Sequence, residues 1–285
     1  MGLGLGPSVI ALRQRRQAVH AAAQPLLQKP ARDLTLPDAW ILIEFHFFNG
    51  EMKLTNGFGN GNDTRVRVDT LIAGVQYLQQ SDKGHTPRWG SGTPQKTASF
   101  YPTPQFAIVL YRLAVWLKSR WSASTIVWGG IGGARDTGNC HVGGHCVDFY
   151  GATTGRGGLF DVARDWSSQP VYAPDGRLRP REGNDPRGTA AQTTYRLLKT
   201  KDVEERLNTD TLYWNPRARD FFLDVIQFVA AECNNTGDSS AADMGGGSPI
   251  KRGVTKHPDY PVAEGRGGRR AHWDHMHFQL GEAFY

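Results

Sequence analysis

The clearest repeating pattern of apolar positions predicts helices. Between residues 105 and 117 the apolar side chains recur every three or four positions, the period of one helix face, at Phe106, Val109, Leu110, Leu113, Trp116 and Leu117. A second helix is predicted to begin at Asn215 and Pro216, since Asn is a good cap and Pro suits the first position. Its apolar stripe, which we expect to pack in the core, is Phe222, Val225, Ile226 and Val229. Residues 190–208 are a third helical prediction.

Alternating and continuous apolar runs predict strands. Val147 and Phe149 alternate with Asp148, and near the C-terminus Met276, Phe278 and Leu280 alternate with His275, His277 and Gln279. Alternation at period two is typical of a strand with two different faces. Residues 124–128 and the apolar run 40–48 are also strand-like, the latter closed by the turn dipeptide Asn49 and Gly50. Residues 66–79 predict a strand followed by a helix.

These elements predict an α+β fold with a small central antiparallel sheet, flanking helices and long loop insertions. The loops fall at residues 82–104, 129–136, 173–188 and 234–270, which are rich in Gly, Pro or polar residues. Residues 1–33 are predicted to be an N-terminal leader, either amphipathic or disordered. A chain of 285 residues can bury one substantial core, so one large domain or one domain with a subdomain are both plausible. We predict a single domain over residues 34–285.

Composition narrows the classes of partner. Apolar residues make up 39% and charged residues 21%, and no run approaches the roughly 18 apolar residues of a membrane span. The net charge of +6 suits an anionic polymer. Nucleic acid is disfavoured, because the basic residues lack the interleaved aromatics of a single-strand binder. A group of basic residues precedes the C-terminal histidines: Lys251, Arg252, Arg266, Arg269 and Arg270. They form either a basic rim beside the zinc site that attracts carboxylate-bearing peptides or a solvated loop.

The histidines are clustered. Of the nine in the chain, five lie in two short windows, at His141, His145, His272, His275 and His277. Imidazole and carboxylate are natural ligands of zinc. If both predicted strands belong to one sheet, Asp148 shares a face with the histidines. Three protein ligands with an open position are typical of catalytic zinc, whereas structural zinc is closed by four.

The motif His141-x-x-Gly144-x-x-Val147-Asp148 resembles the first metal motif of the LAS metallopeptidases. The spacing His272-x-x-His275-x-His277 is similar to that of penicillin-insensitive murein endopeptidases within that superfamily, which also contains D-Ala-D-Ala carboxypeptidases and dipeptidases. The resemblance implies His141, Asp148 and His277 as zinc ligands, with His275 and His272 close to the bound water. Departures are Asp274, where the D-Ala-D-Ala branch has a catalytic Glu, and Asn139 and Cys146, where the family usually has Ser and Ala.

The implied function is a zinc-dependent peptidase that cuts peptidoglycan peptides at a D-Ala-containing cross-link or stem bond with a metal-activated water. His275 is the first choice as general base because it shares a strand face with His277, and Asp274 and His272 are the alternatives. Arg135, on a glycine-rich loop, is the candidate to hold a substrate carbonyl or carboxylate, or else it pairs locally. The alternative function is a non-catalytic zinc module, cell-wall-binding or hedgehog-like, closed by a fourth ligand.

Cysteine usage and the N-terminus leave the compartment open. Cys140 and Cys146 could be bridged, act as ligands or pack as small residues; we favour packing, because Cys146 falls where the family carries a small residue. Cys233 is expected in the core. The basic cluster near Arg13 follows the first apolar run, which inverts the order of a secretory signal. A periplasmic or extracellular location is expected if the substrate is peptidoglycan.

Overall fold

One mixed sheet and the helices packed against it form the part of the chain that the computed structural model describes, residues 7–55, 64–79, 101–129, 140–155, 158–162, 216–233, 255–256 and 275–280. The helices are α1 Pro7–Ala23, α2 Leu36–Phe48, α3 Pro104–Trp121, α4 Cys140–Gly143 and α5 Pro216–Cys233. The strands are β1 Leu71–Ile72, β2 Val75–Gln79, β3 Ala123–Gly129, β4 Cys146–Thr154, β5 Gly158–Asp161, β6 Thr255–Lys256 and β7 Met276–Gln279.

The strand order is β1-β2-β3-β4-β7-β6, and β5 pairs with β4. β2 and β3 run parallel, while the other pairings of the described strands are antiparallel. The predicted α+β class is therefore confirmed, with a sheet that is mixed rather than purely antiparallel.

Two helices lie where the apolar period placed them. In α3 the Thr103 side chain accepts a hydrogen bond from the Phe106 N–H, and Pro104 occupies the first turn, so the start is capped. On the predicted apolar face of α3, Trp116 is half-buried against the core, and the other five side chains are buried. α5 begins at Pro216 and buries Phe222, Val225 and Val229. The side chain of Ile226 and the predicted helix 190–208 lie outside the described residues.

The strand prediction for residues 40–48 is wrong, since this run lies in helix α2. A continuous apolar run does not distinguish a buried strand from a buried helix. The helix is specified just before the run, where Thr35 and Asp38 form a capping box and a proline stands in the first turn. Gly50, with φ of +73°, follows the end of the helix as a C-terminal glycine commonly does.

The helix prediction within residues 66–79 is also wrong. β1 and β2 form a hairpin joined by Ala73 and Gly74, whose φ values are +51° and +76°. Two positive φ values in a two-residue loop match the twist of the flanking strands. Val75 and Tyr77 are buried, as strand alternation requires.

The predicted leader contains helix α1. Val19 and Ala23 of this helix are buried, and Arg15 pairs with Glu44 on α2. Residues 7–23 of the predicted leader are therefore helical and pack against α2. No helix among the described residues is both long and apolar enough to cross a bilayer.

The two strands predicted to carry the histidine chemistry are neighbours. β4 and β7 pair antiparallel, with Asp148 opposite His277 and Phe149 opposite Met276. On the core face the rings of Phe149 and Phe278 stack with centroids 5.4 Å apart. The opposite face carries the polar residues, so the core packing of this strand pair also fixes the position of the candidate site.

Candidate metal centre

Asp148 and His277 meet directly across the β4–β7 pair. Residues opposite each other in an antiparallel pair point to the same face, and here the Nδ1 of His277 lies 2.9 Å from the Oδ1 of Asp148. The two segments, 129 residues apart in the chain, thus come together as the alternation predicted.

Two further histidines converge on the same carboxylate oxygen. His275, two positions before His277 on the same face, places its Nε2 3.5 Å from the Oδ1 of Asp148. His141 reaches it from helix α4, with Nε2 at 3.6 Å, and its ring lies edge-on to His277 at a centroid distance of 5.0 Å. One carboxylate is therefore surrounded by three imidazoles.

A glycine turn fixes His141 relative to the sheet. The N–H of Gly144 donates to the carbonyl of His141 at 3.1 Å, and the Gly144 carbonyl accepts from the N–H of Thr103 at 2.7 Å. Gly144 has φ of +69°, and a side chain there would collide with the Arg65 guanidinium and the Tyr101 carbonyl. Only glycine fits this conformation and this space, so the start of α3 anchors the turn that carries the ligand candidate.

The electrostatic environment keeps the carboxyl ionised. Burial of Asp148 acts to raise its pKa, but the charge of His275 and the hydrogen bond from His277 outweigh it, and the pKa of Asp148 lies well below its usual range. The Asp148 side chain keeps 17% of its surface exposed. The carboxylate is thus an anionic oxygen donor that solvent can still reach.

Two distances at the Asp148 carboxylate are of the size found between neighbouring ligands of a small metal ion. Zinc with bonds of about 2.0–2.1 Å in tetrahedral geometry holds neighbouring ligand atoms about 3.3 Å apart. The Nδ1 of His277 and the Nε2 of His141 lie 2.9 Å and 3.6 Å from the Oδ1 of Asp148, on either side of that value. An ionised carboxylate and imidazole nitrogens are also the donor types that zinc takes.

A second donor set overlaps the first. His141, Cys146 and His277 offer ligand atoms that all lie within 4.8 Å of one another, a group that could hold a metal ion. Cys146 is, however, disulfide-bonded, and only a thiolate is an effective ligand. In the oxidised chain the sulfur of Cys146 is therefore not an effective ligand.

The cysteines correct one sequence interpretation and confirm another. Cys146, for which packing was favoured, is fully buried but is part of a disulfide. Cys233 is a free thiol in the core, as expected, and burial raises its pKa. The side chain of Cys140 lies outside the described residues.

Several predicted site residues also lie outside the described residues: His272, Asp274, Arg135 and the basic residues of 251–270. His145 is described and is half-buried, with its backbone carbonyl accepting from the Leu280 N–H. Burial lowers the pKa of His145, and its Nε2 is buried without a hydrogen-bond partner in the described part of the chain.

Sequence reasoning missed two neighbours of the centre. The ring of Tyr150 lies 5.1 Å from that of His275, and Gln279 is buried opposite Cys146. Both positions follow from counting by two along β4 and β7, since Tyr150 is two residues after Asp148 and Gln279 two after His277.

Comparison of the chain with protein-family models, with curated proteins and with solved structures finds no match. The resemblance to LAS metallopeptidases is therefore carried by the two motifs alone.

Proposed function

We propose that this chain is a zinc-dependent peptidase that hydrolyses peptidoglycan peptides at a bond involving D-Ala or a cross-link. The observation that supports it is the convergence of His141, His275 and His277 on the ionised carboxylate of Asp148. This arrangement has the donors of a three-ligand zinc site and one histidine more.

The metal ligands in this proposal are His141, Asp148 and His277. Zinc, when bound, lowers the pKa of a bound water from about 15.7 towards roughly 7 and polarises the scissile carbonyl. The chain holds the ligands on a rigid support, because two of them stand opposite each other in a strand pair and the third follows an anchored glycine turn.

His275 is the proposed general base. Its Nε2 faces the ligand cluster, 3.5 Å from the Oδ1 of Asp148, and can accept a proton there and return it to the leaving nitrogen. The ring of Tyr150 lies against His275 and restricts its orientation. Asp274 and His272 remain the alternative bases, and Arg135 remains the candidate for holding a substrate carboxylate.

The substrate class comes from the resemblance and from charge. The basic residues between 251 and 270 would attract carboxylate-bearing peptides. A peptidoglycan substrate would place the protein in the periplasm or outside the cell.

The test is digestion of purified sacculi and dimeric muropeptides, following dimer-to-monomer conversion and release of free D-alanine, with zinc content measured in every sample. We expect His277→Ala to lose both zinc and activity. His275→Ala should keep zinc and lose activity by roughly 10²–10⁴-fold, the usual contribution of a general base. His20→Ala, a histidine of helix α1 remote in sequence from the site, is the control. Activity in His277→Ala with full zinc occupancy would refute the mechanism.

A second candidate function is a non-catalytic zinc module, of cell-wall-binding or hedgehog-like type. It is favoured by the proximity of Cys146 to His141 and His277, because a reduced Cys146 would add a fourth donor and close the site. In that case a chelator lowers stability, no muropeptide is cut, and Cys146→Ser weakens zinc binding in the reduced protein.

A further inference from the structure

Tyr150 is the extra residue at an irregularity in the β3–β4 pair. Val127 stands opposite Gly151, and the next residue of β3, Trp128, stands opposite Phe149. Tyr150 therefore has no opposite residue on β3. An extra residue of this kind interrupts the regular alternation of a strand and can re-aim its side chain, so the direction of the Tyr150 ring has to be taken from its contacts.

The contacts place the Tyr150 ring on the face of the sheet that carries the metal centre. Its centroid lies 5.1 Å from that of the His275 ring, and the Nε2 of His275 lies 3.5 Å from the Oδ1 of Asp148. Gly129 stands opposite Asp148 on β3 and leaves room there because it has no side chain. A Cβ on Gly129 would lie 3.1 Å from the Cε2 of Tyr150, so the tyrosine ring lies over this glycine.

The hydroxyl of Tyr150 also lies beside the centre. The position that a Cβ of Gly129 would take is 3.6 Å from the Tyr150 hydroxyl oxygen and 3.8 Å from the Cβ of Asp148. These two atoms therefore flank one shared point on the polar face of the sheet. Tyr150 is half-buried, so part of its side chain is open to solvent next to the carboxylate that the histidines surround.

Hydrolysis of a peptide bond needs a hydrogen-bond donor at this place. When water adds to the carbonyl carbon, negative charge develops on the carbonyl oxygen, and a donor fixed beside that oxygen lowers the barrier. In the proposed mechanism the four side chains of the centre already have roles, three as metal ligands and one as general base. A tyrosine hydroxyl is a hydrogen-bond donor, and tyrosine is one of the residues that serve this purpose in enzymes.

We propose that Tyr150 is a further catalytic residue, whose hydroxyl donates a hydrogen bond to the oxygen of the scissile carbonyl as that oxygen becomes negative. The hydroxyl keeps its proton throughout, and His275 remains the group that moves the proton of the attacking water. This assignment rests on the proposed peptidase function and gives that mechanism the donor that it lacks.

The experiment uses Tyr150→Phe in the zinc-loaded full chain. Phenylalanine keeps the ring against His275 and over Gly129 and removes only the hydroxyl. Zinc content and KM for dimeric muropeptides should stay at the wild-type values, while kcat should fall about 10²–10³-fold, the usual effect of removing one such donor. A phosphinate analogue of the bond that wild type cuts, with a tetrahedral phosphinate in place of the amide, should bind Tyr150→Phe about 10–100-fold more weakly, the loss of one hydrogen bond to a charged group. A role of the ring in packing alone would change neither kcat nor the affinity for the analogue.

Tyr111→Phe is the matched control. The Tyr111 hydroxyl on α3 donates to the carboxylate of Glu51 at 2.9 Å, so this variant also loses a bonded tyrosine hydroxyl, but one that contacts no residue of the metal centre. It should keep the wild-type kcat and the wild-type affinity for the phosphinate.

The outcomes separate this assignment from the function on which it rests. If wild type cuts muropeptides and Tyr150→Phe cuts them with the same kcat, the role of Tyr150 is refuted and the peptidase function stands. Equal binding of the phosphinate by the two proteins, or a loss of zinc in Tyr150→Phe, would also refute it. If zinc-loaded wild type cuts no muropeptide, the peptidase function fails and the role of Tyr150 fails with it.

Discussion

Substituting Phe278 should weaken metal binding, although this side chain lies on the face of β7 opposite the histidines. Its ring stacks on Phe149 in the core, while the next residue back, His277, points to the polar face and meets Asp148. A strand with one apolar face has its register and position fixed by that face. Phe278→Ala removes the packing that holds β7 and should let His277 move relative to Asp148.

The size of the effect on stability follows from burial. Phe278 is 1% exposed, and truncating a buried Phe to Ala costs about 3–5 kcal/mol, of which the aromatic pair contributes roughly 0.5–1.5 kcal/mol. A chain of 285 residues unfolds with an entropy of about 0.6 kcal/mol/K. The midpoint of thermal unfolding should therefore fall by roughly 5–8 °C.

The assay pairs urea unfolding with zinc affinity, measured by competition against a chromophoric chelator well below the melting temperature. Zinc affinity of Phe278→Ala should fall about 10–100-fold, the usual effect of losing a supporting contact around a metal site. Leu42→Ala on α2 is the control, since Leu42 is fully buried and α2 packs on α1 and α3; it should lose 2–5 kcal/mol and keep its zinc affinity. Unchanged zinc affinity in a destabilised Phe278→Ala would refute the coupling between the two faces.

Three other predictions concern the rest of the fold. Burial lowers the pKa of His46 against the opposing hydrogen bond to Glu51, so the neutral ring stabilises the fold fully above about pH 6.5, and this stability is lost as the pH falls below it, by at most about 1.4 kcal/mol per pH unit. The free energy of unfolding in urea should therefore differ less between about pH 7.5 and about pH 5.5 in His46→Gln than in wild type. An equal difference in the two proteins would contradict this prediction. Gly151→Ala should cost at least about 2 kcal/mol in thermal unfolding, because φ is +150° and the new Cβ would collide with the Phe160 carbonyl in β5. Gly158 has a positive φ but open space around it, so Gly158→Ala should cost only about 1 kcal/mol. Equal melting temperatures of the two variants would show that the collision at residue 151 does not matter. A reducing agent should lower the free energy of unfolding by about 2 kcal/mol in wild type and leave Cys146→Ser unchanged, whereas equal sensitivity of the two proteins would exclude a role for this disulfide.

The polar face of the site could be predicted because the alternation of side chains along a strand depends only on the local sequence. Alternation around Asp148 and His277 fixes which side chains share a face of a strand, whatever the sheet later does with that strand. Pairing of β4 with β7 then needed only that both strands lie side by side in one sheet. The long distance in the chain between them therefore did not matter for the prediction.

The failures have equally physical causes. The run 40–48 is apolar except at Glu44 and His46, so neither a strand nor a helix period stands out in it. The signal that decides for a helix is the capping pair Thr35 and Asp38 outside the run. At residues 73 and 74 the turn places Ala73, a residue that disfavours positive φ, at +51°. Two tertiary hydrogen bonds hold Ala73 in this conformation: its carbonyl accepts from Lys118, and its N–H donates to the Glu51 carbonyl. These contacts cannot be predicted from the local sequence pattern.

The oxidation state of the Cys146 sulfur, and not the fold, separates the two candidate functions. Cys146 and Asp148 are two residues apart on one face of β4, so both stand beside the His277 ring. While Cys146 is in a disulfide, Asp148 is the remaining acidic donor, and the proposed site would have three ligands and an open position, the arrangement typical of catalytic zinc. Reduction would supply a thiolate within 4.8 Å of the ligand nitrogens of His141 and His277, and four donors would close the site. An oxidising compartment, where disulfides persist and where peptidoglycan lies outside the cytoplasm, is therefore the condition under which the peptidase proposal and the observed cysteine chemistry agree.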